Sequence, residues 1–192
     1  MKQITLLMIA LLAFSFPSEA QVFGSGKKKA EKKRTKIMKM HNNVLKNLYS
    51  KDDNAEEVIN DAYGYAVFSN VGVNVILVSA GGGKGVAINN QSGRRTFMKM
   101  ASAGVGLGIG VKDFRAVFAF HTKKAFDAFV DKGWDFSGQA DAAAKSTDKG
   151  GAVTGAVDIG SGVTVYQLTE AGLALQATLQ GTKYWKDKKL NK

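Results

Sequence analysis

The residues with the clearest chemical potential are cations. Between Lys27 and Lys39 the chain reads KKKAEKKRTKIMK. Lys27, Lys28, Lys29, Lys32, Lys33, Arg34, Lys36 and Lys39 set eight positive charges against the single carboxylate of Glu31. A cluster of this kind makes and breaks no bonds; it attracts anions. Each basic residue close to an anionic lipid leaflet contributes roughly 1 kcal/mol at low salt, and less once screened. Nucleic acid phosphates would attract the same charges, but the segment has no aromatic side chains for bases to stack on.

Other chemistry-bearing residues are sparse. His41 and His121 are the only histidines, and neither stands in a catalytic or HExxH-type spacing. Both are expected to be structural. Gly81-Gly82-Gly83-Lys84-Gly85 invites a phosphate-loop reading, which needs Ser or Thr after the lysine and a helix behind it. Here Gly85 and a strand pattern follow, so a glycine bend is expected instead. Asp127 and Asp131 lie one helical turn apart and Asp135 follows, but they lack the loop ligands of a calcium site; a solvated face is expected. No serine sits in a GxSxG elbow, and Asn90-Gln91-Ser92 is a glycosylation sequon by pattern only. No catalytic residue, metal site or cofactor is assigned, and the chain is read as a non-enzyme.

The whole chain has 192 residues and a net charge of +11, a balance that favours an anionic partner. Its start reads as a signal peptide over residues 1–20. Lys2 precedes an apolar run from Ile4 to Phe16, Pro17 breaks it, and Ser18-Glu19-Ala20 offers small residues at the −3 and −1 positions of a cleavage site. The run is short for a bilayer span. An exported protein, periplasmic or extracellular and peripheral to a membrane, is the expectation, with mature residues from Gln21. An exported protein rarely meets nucleic acid, so none is expected as a partner. The sequence has no cysteine, which excludes disulfides, thiol catalysis and a lipoprotein anchor. A transmembrane barrel is disfavoured by the charged C-terminal tail and the lack of aromatic girdles.

These cations must be held by something. Residues 21–52 read as a basic leader, flexible over Gln21–Gly26, and an amphipathic helix. On a helical wheel Ile37, Met38, Met40, Val44, Leu45, Leu48 and Tyr49 share one half, with Lys28, Lys32, Lys36, Lys39 and Lys46 on the other. Its apolar face could pack on the domain or lie on an anionic membrane, and both are compatible with solvated lysines. A short helix through Glu56–Ile59, capped by Asp53 or Asn54, is followed by strands at Tyr63–Phe68, Val73–Ala80 and Gly85–Ile88. A hairpin loop over Asn89–Arg94 leads to Thr96–Ala101. Then Gly104, Gly106, Gly108 and Gly110 alternate with Val105, Leu107, Ile109 and Val111, a period-two strand with one nearly bare face. Arg115–Phe120 returns. Thr122 begins a helix that Gly133 ends, and Gly138–Gly151 reads as a loop with a helical turn. Ala152–Ile159, Val163–Thr169 and Leu173–Leu179 are strands, and Thr182–Lys192 is a basic tail. The class is α+β: a strongly curved antiparallel sheet or partial barrel of short Gly-rich strands with a few flanking helices.

AYGYAVFSNVG, GGGKGVAI, GVGLGIGVKDFRAVFAF, GWDFSGQADAAAK and VYQLTEAGLALQATLQGTKYW resemble the SYLF-domain family, over roughly Asp53 to Asn191. An exported form without accessory domains looks like the bacterial members. The domains are then a signal peptide (1–20), the leader and helix (21–52) and a SYLF-like domain (53–192). The resemblance implies a non-enzymatic domain that binds acidic phospholipids, phosphoinositides in eukaryotic members, with an amphipathic basic segment at its N-terminus. Lys27–Ser50 is the counterpart by position and character. Actin binding is not expected of an exported protein, and phosphatidylglycerol, cardiolipin or lipopolysaccharide phosphates are the expected ligands. The expected partner is an anionic phospholipid membrane surface, with protein partners unassigned. The alternative is a structural or adhesion protein of the envelope that binds a protein or polyanion.

Overall fold

The computed structural model describes residues 19–70, 80–103, 115–135, 156–158, 162–169, 172–173 and 182–192. The signal-peptide run, the Val73–Ser79 segment, the alternating Gly104–Val111 strand, the Gly138–Gly151 loop and most of Leu173–Leu179 lie outside them. Among the described residues there are three helices and one antiparallel sheet of nine strands. This is the α+β class with a curved sheet.

Helix α1 runs from Glu19 to Tyr49. It includes the stretch Gln21–Gly26 expected to be a flexible leader. Nucleation is the costly step in a helix, and the packed turns downstream supply it, so the glycines there only weaken its propagation. Ile37, His41, Val44, Leu45 and Leu48 are buried along one stripe, with Met38, Met40 and Tyr49 packed beside it. Helix α2 spans Ala55–Asp61. Its N-cap Asn54 makes no side-chain cap bond. Asp52 Oδ1 accepts from the Asn54 N–H at 3.0 Å and so shapes the turn that leads into the helix.

The strands are β1 (Gly64–Ser69), β2 (Ala80–Asn89), β3 (Arg95–Ala103), β4 (Arg115–Phe120), β5 (Trp134–Asp135), β6 (Ala156–Asp158), β7 (Val163–Thr169), β8 (Gly172–Leu173) and β9 (Thr182–Lys186). Their order is β5-β9-β3-β2-β1-β4-β7-β6, with β8 also on β7. Helix α3 (Lys123–Lys132) opens with Thr122 Oγ1 accepting from the Ala125 N–H and ends at Gly133, whose φ of 75° favours glycine.

Strands β1 and β4 are apolar on both faces because both faces are covered. On one side Phe68, Phe118 and Phe120 pack with Phe126 and Phe129 of α3 and with Tyr184 of β9. The ring centroids of Phe68 and Tyr184 are 4.6 Å apart, and those of Phe120 and Phe129 are 4.8 Å apart. On the other side Val67, Val117, Ala119, Tyr166 and Leu168 pack with Val44, Leu45 and Leu48 of α1 and Ile59 of α2.

Two expectations are corrected here. The glycines at 81–83 form no bend; β2 runs unbroken through them. Gly83 makes room for the Met100 side chain opposite it, and at Gly85 a Cβ would overlap the Phe68 ring and the Val67 carbonyl oxygen. Nor is Thr182–Lys192 simply a basic tail, since its first half is β9, an interior strand between β5 and β3. Thr182 and Tyr184 are buried, and Leu190 joins Ile37, Val86 and Phe97 in a third apolar cluster.

Gly85→Ala is expected to cost about 1–3 kcal/mol through overpacking, read as a lower urea midpoint at unchanged slope; an unchanged midpoint would contradict the tight β1–β2 packing. Asn191 fastens the chain end to β3. Its Oδ1 accepts from the Phe97 N–H (2.9 Å) and its Nδ2 donates to the Phe97 (2.7 Å) and Asp187 (2.8 Å) carbonyls. Asn191→Ala is expected to remove about 1–3 kcal/mol and to speed amide exchange at Phe97, which the same denaturation series and hydrogen exchange would register.

Candidate functional site

Burial of the apolar stripe of α1 decides where its cations go. Lys27, Lys28, Lys29, Lys32, Lys33, Lys36 and Lys39 are all exposed. None forms an ion pair among the described residues. At 1.5 Å per residue the stretch from Lys27 to Lys39 extends about 18 Å along the helix. Arg34, the eighth residue of the cluster, is turned inward. Its Nε donates to the Leu190 carbonyl at 2.9 Å, a terminal nitrogen donates to the Lys192 carbonyl at 3.1 Å, and the other meets Glu31 at 3.3 Å. Its guanidinium carbon also stands 6.0 Å from the Phe97 ring centroid.

The sheet adds cations on the face that α1 covers. Lys84 lies two residues from Val86, and Lys99 two from Phe97, so each shares the side of its apolar neighbour. Lys99 stands opposite Trp185, and Ala101 opposite Lys183. Trp185, 36% exposed, is the one exposed large hydrophobic side chain among the described residues. An indole beside lysines suits a membrane interface, where an apolar ring and charged stems meet headgroups. The alternation Thr-Lys-Tyr-Trp-Lys in β9 carries this signal in the sequence.

The remaining candidate residues have structural places. Lys84 belongs to a strand, with no helix behind it to receive a phosphate. Asp127, Asp131 and Asp135 each meet a lysine: Lys123, Lys186 at 3.9 Å and Lys183 at 3.3 Å. No group of metal ligands occurs among the described residues. The Asn90 amide donates to the Ile59 and Ala62 carbonyls, so the sequon residue ties the β2–β3 hairpin to α2. His121 meets the Thr164 hydroxyl at 2.9 Å.

Residues 101–192 match the family model described as Ysc84, Las17-binding protein actin regulator. This part of the chain is a SYLF/Ysc84-family domain. The match begins near the end of β3 and takes in α3 and all later strands, including β9. The SYLF resemblance extends further toward the N-terminus: over 169 residues, 85% of the chain, the sequence is 38% identical to Beta cell expansion factor A of Aeromonas veronii. The chain spans 60% of that relative's length. The SYLF family is not a known enzyme class. No helix among the described residues is long and apolar enough to cross a membrane.

His41 lies on the buried stripe of α1, against β1. It is buried, with Nδ1 2.8 Å from Asn42 Oδ1 and Nε2 3.0 Å from the Tyr65 hydroxyl. A neutral ring that donates to Asn42 and accepts from Tyr65 satisfies both contacts. Burial lowers its pKa, the Asn42 bond opposes that shift, and the charge of Arg95 adds to it. Burial also pushes the nearby Tyr49 phenol up to about 12. The unfolded chain therefore binds a proton at His41 before the folded one does. Stability should fall as pH drops below about 6.5 and level off below the folded-state pKa. Urea midpoints measured from pH 7.5 to 5 should decline more steeply for the native protein than for His41→Gln; parallel declines would refute the assignment.

Proposed function

We infer that this protein is a non-enzymatic, exported lipid-binding protein that docks on anionic phospholipid membranes through the lysine face of α1 and its SYLF domain. The observation that carries the reading is the division of α1: its apolar stripe is committed to the sheet while seven lysines stand in solvent without carboxylate partners among the described residues. Because the apolar stripe is occupied, the helix would meet the membrane by charge and not by insertion. Trp185, with Lys99 of β3 and Lys183 of β9, offers a second contact on the same side of the sheet. The family match supports a lipid-binding or actin-regulator-like role. Lipid is preferred because the N-terminal pattern points to export, which places the protein, periplasmic or extracellular, beside membrane surfaces and away from actin.

Co-sedimentation with liposomes tests this. Binding is expected for vesicles containing phosphatidylglycerol or cardiolipin, not for phosphatidylcholine alone, and should weaken with salt over the range in which the Debye length shrinks below about 8 Å. Lys28→Glu, Lys32→Glu and Lys36→Glu together should lower affinity by about tenfold or more at low salt without changing the circular dichroism spectrum. Equal binding to neutral and anionic vesicles, or an unaffected triple variant, would overturn the proposal.

A further inference from the structure

A second basic feature lies at the foot of the lysine face, and it is built differently. An open cavity of about 350 Å³ separates α1, the β2–β3 hairpin and the C-terminal segment. Arg34, Arg94, Arg95, Lys186 and Lys192 line it over a floor that includes Phe97, and no Asp or Glu is among its lining residues. Those five cations come from three separate parts of the chain, so their convergence is a product of the fold.

We propose that this cavity is a binding site for a phosphomonoester, deepening the membrane-surface reading on which it rests. The arginines are held ready. Asn89 Oδ1 accepts from the N–H groups of Gln91 (3.0 Å) and Ser92 (2.9 Å), Asn89 and Arg94 close the turn at 3.0 Å, and Gly93 donates back to Asn89 at 2.8 Å. The Asn90 amide pins the same turn to α2. Arg94 and Arg95 thus project from a fixed hairpin, and their guanidinium groups have no ion pair or hydrogen bond among the described residues. Arg34 is committed to backbone carbonyls and Glu31, and Lys186 lies 3.9 Å from Asp131 of α3, so these two supply walls and only part of their charge.

Gathering like charges in one concavity is unfavourable until an anion fills it. Two unengaged guanidinium forks match the paired oxygens of a phosphate. A terminal phosphomonoester carries close to two negative charges at neutral pH, against one for a phosphodiester, and offers three oxygens free of ester substituents. The volume exceeds that of a single phosphate, leaving room for the group that bears it. Phosphate on a lipid headgroup and phosphate on a soluble molecule share this chemistry.

The test compares vesicles of phosphatidylcholine doped with phosphatidic acid or with phosphatidylglycerol at matched surface charge, alongside a solution titration with sn-glycerol 3-phosphate. The native protein should prefer phosphatidic acid by about tenfold or more, the range for charge-assisted hydrogen bonds. Arg94→Gln with Arg95→Gln should erase that preference yet hold phosphatidylglycerol binding within about twofold, since the lysine face carries the general attraction. Arg94→Lys with Arg95→Lys should keep the charge but lose most of the preference. The Lys28/Lys32/Lys36→Glu variant should weaken binding to both vesicles and leave their ratio intact. Equal binding to the two vesicles by the native protein, or an unchanged ratio in the Arg→Gln variant, would overturn the proposal.

If the native protein binds no vesicle, the membrane reading fails and the solution arm decides alone. Amide shifts at Arg94, Arg95 and Phe97 on addition of sn-glycerol 3-phosphate, absent in the Arg→Gln variant, would establish a site for soluble phosphomonoesters. No shift would remove it.

Discussion

The structure depends on a sheet whose central strands are apolar on both faces. With Val67, Val117 and Ala119 on one side and Phe68, Phe118 and Phe120 on the other, β1 and β4 need two covering layers. Helix α3 and the ring of Tyr184 supply one. Helices α1 and α2 supply the other. Burying a Leu or Val side chain is worth roughly 1.5–3 kcal/mol, so Val44, Leu45 and Leu48 tie α1 to the sheet more firmly than any surface charge could. The lysines face solvent because the rest of the helix has no choice.

That constraint also separates the cations into two kinds. Seven lysines on the exposed side form a broad field with flexible heads, which attracts anions without choosing among them. Arg34, one residue after Lys33, rotates inward and meets the carbonyls at the chain end. The C-terminal segment reaches it because β9 is threaded between β5 and β3, and because Asn191 and Asp187 hold the following turn against Phe97. A long-range strand pairing therefore brings together cations that are far apart in the chain.

The aromatic side of the sheet shows the same economy of space. Large rings from β1, β4, β5, β9 and α3 interlock with centroids 4.6–6.5 Å apart, the range in which offset and edge-on contacts are favourable. Gly85 and Gly133 permit this by leaving room for Phe68 and for the Tyr184 carbonyl. The glycines of these strands act as spacers for neighbouring bulk, not as hinges.

Much of this was legible in the residues. The period of the apolar positions in α1 named its buried stripe, because helix geometry is local. The bounds of β4 and the capped ends of α3 followed from Phe and Ala alternation, Thr122 and Gly133, again over a few residues. The glycine-rich motifs carried the family. What the sequence alone could not decide were matters of who stands next to whom. The glycine triplet reads locally as a bend, but Met100 stands opposite Gly83 in an unbroken strand, and the basic tail contains a strand because β3 and β5 pair with β9. By sequence Arg34 is one cation among eight, and Arg94 is the end of a hairpin loop. Charge and hydrophobicity are written residue by residue, but a cavity exists only when distant segments meet, and that meeting is a property of the tertiary structure.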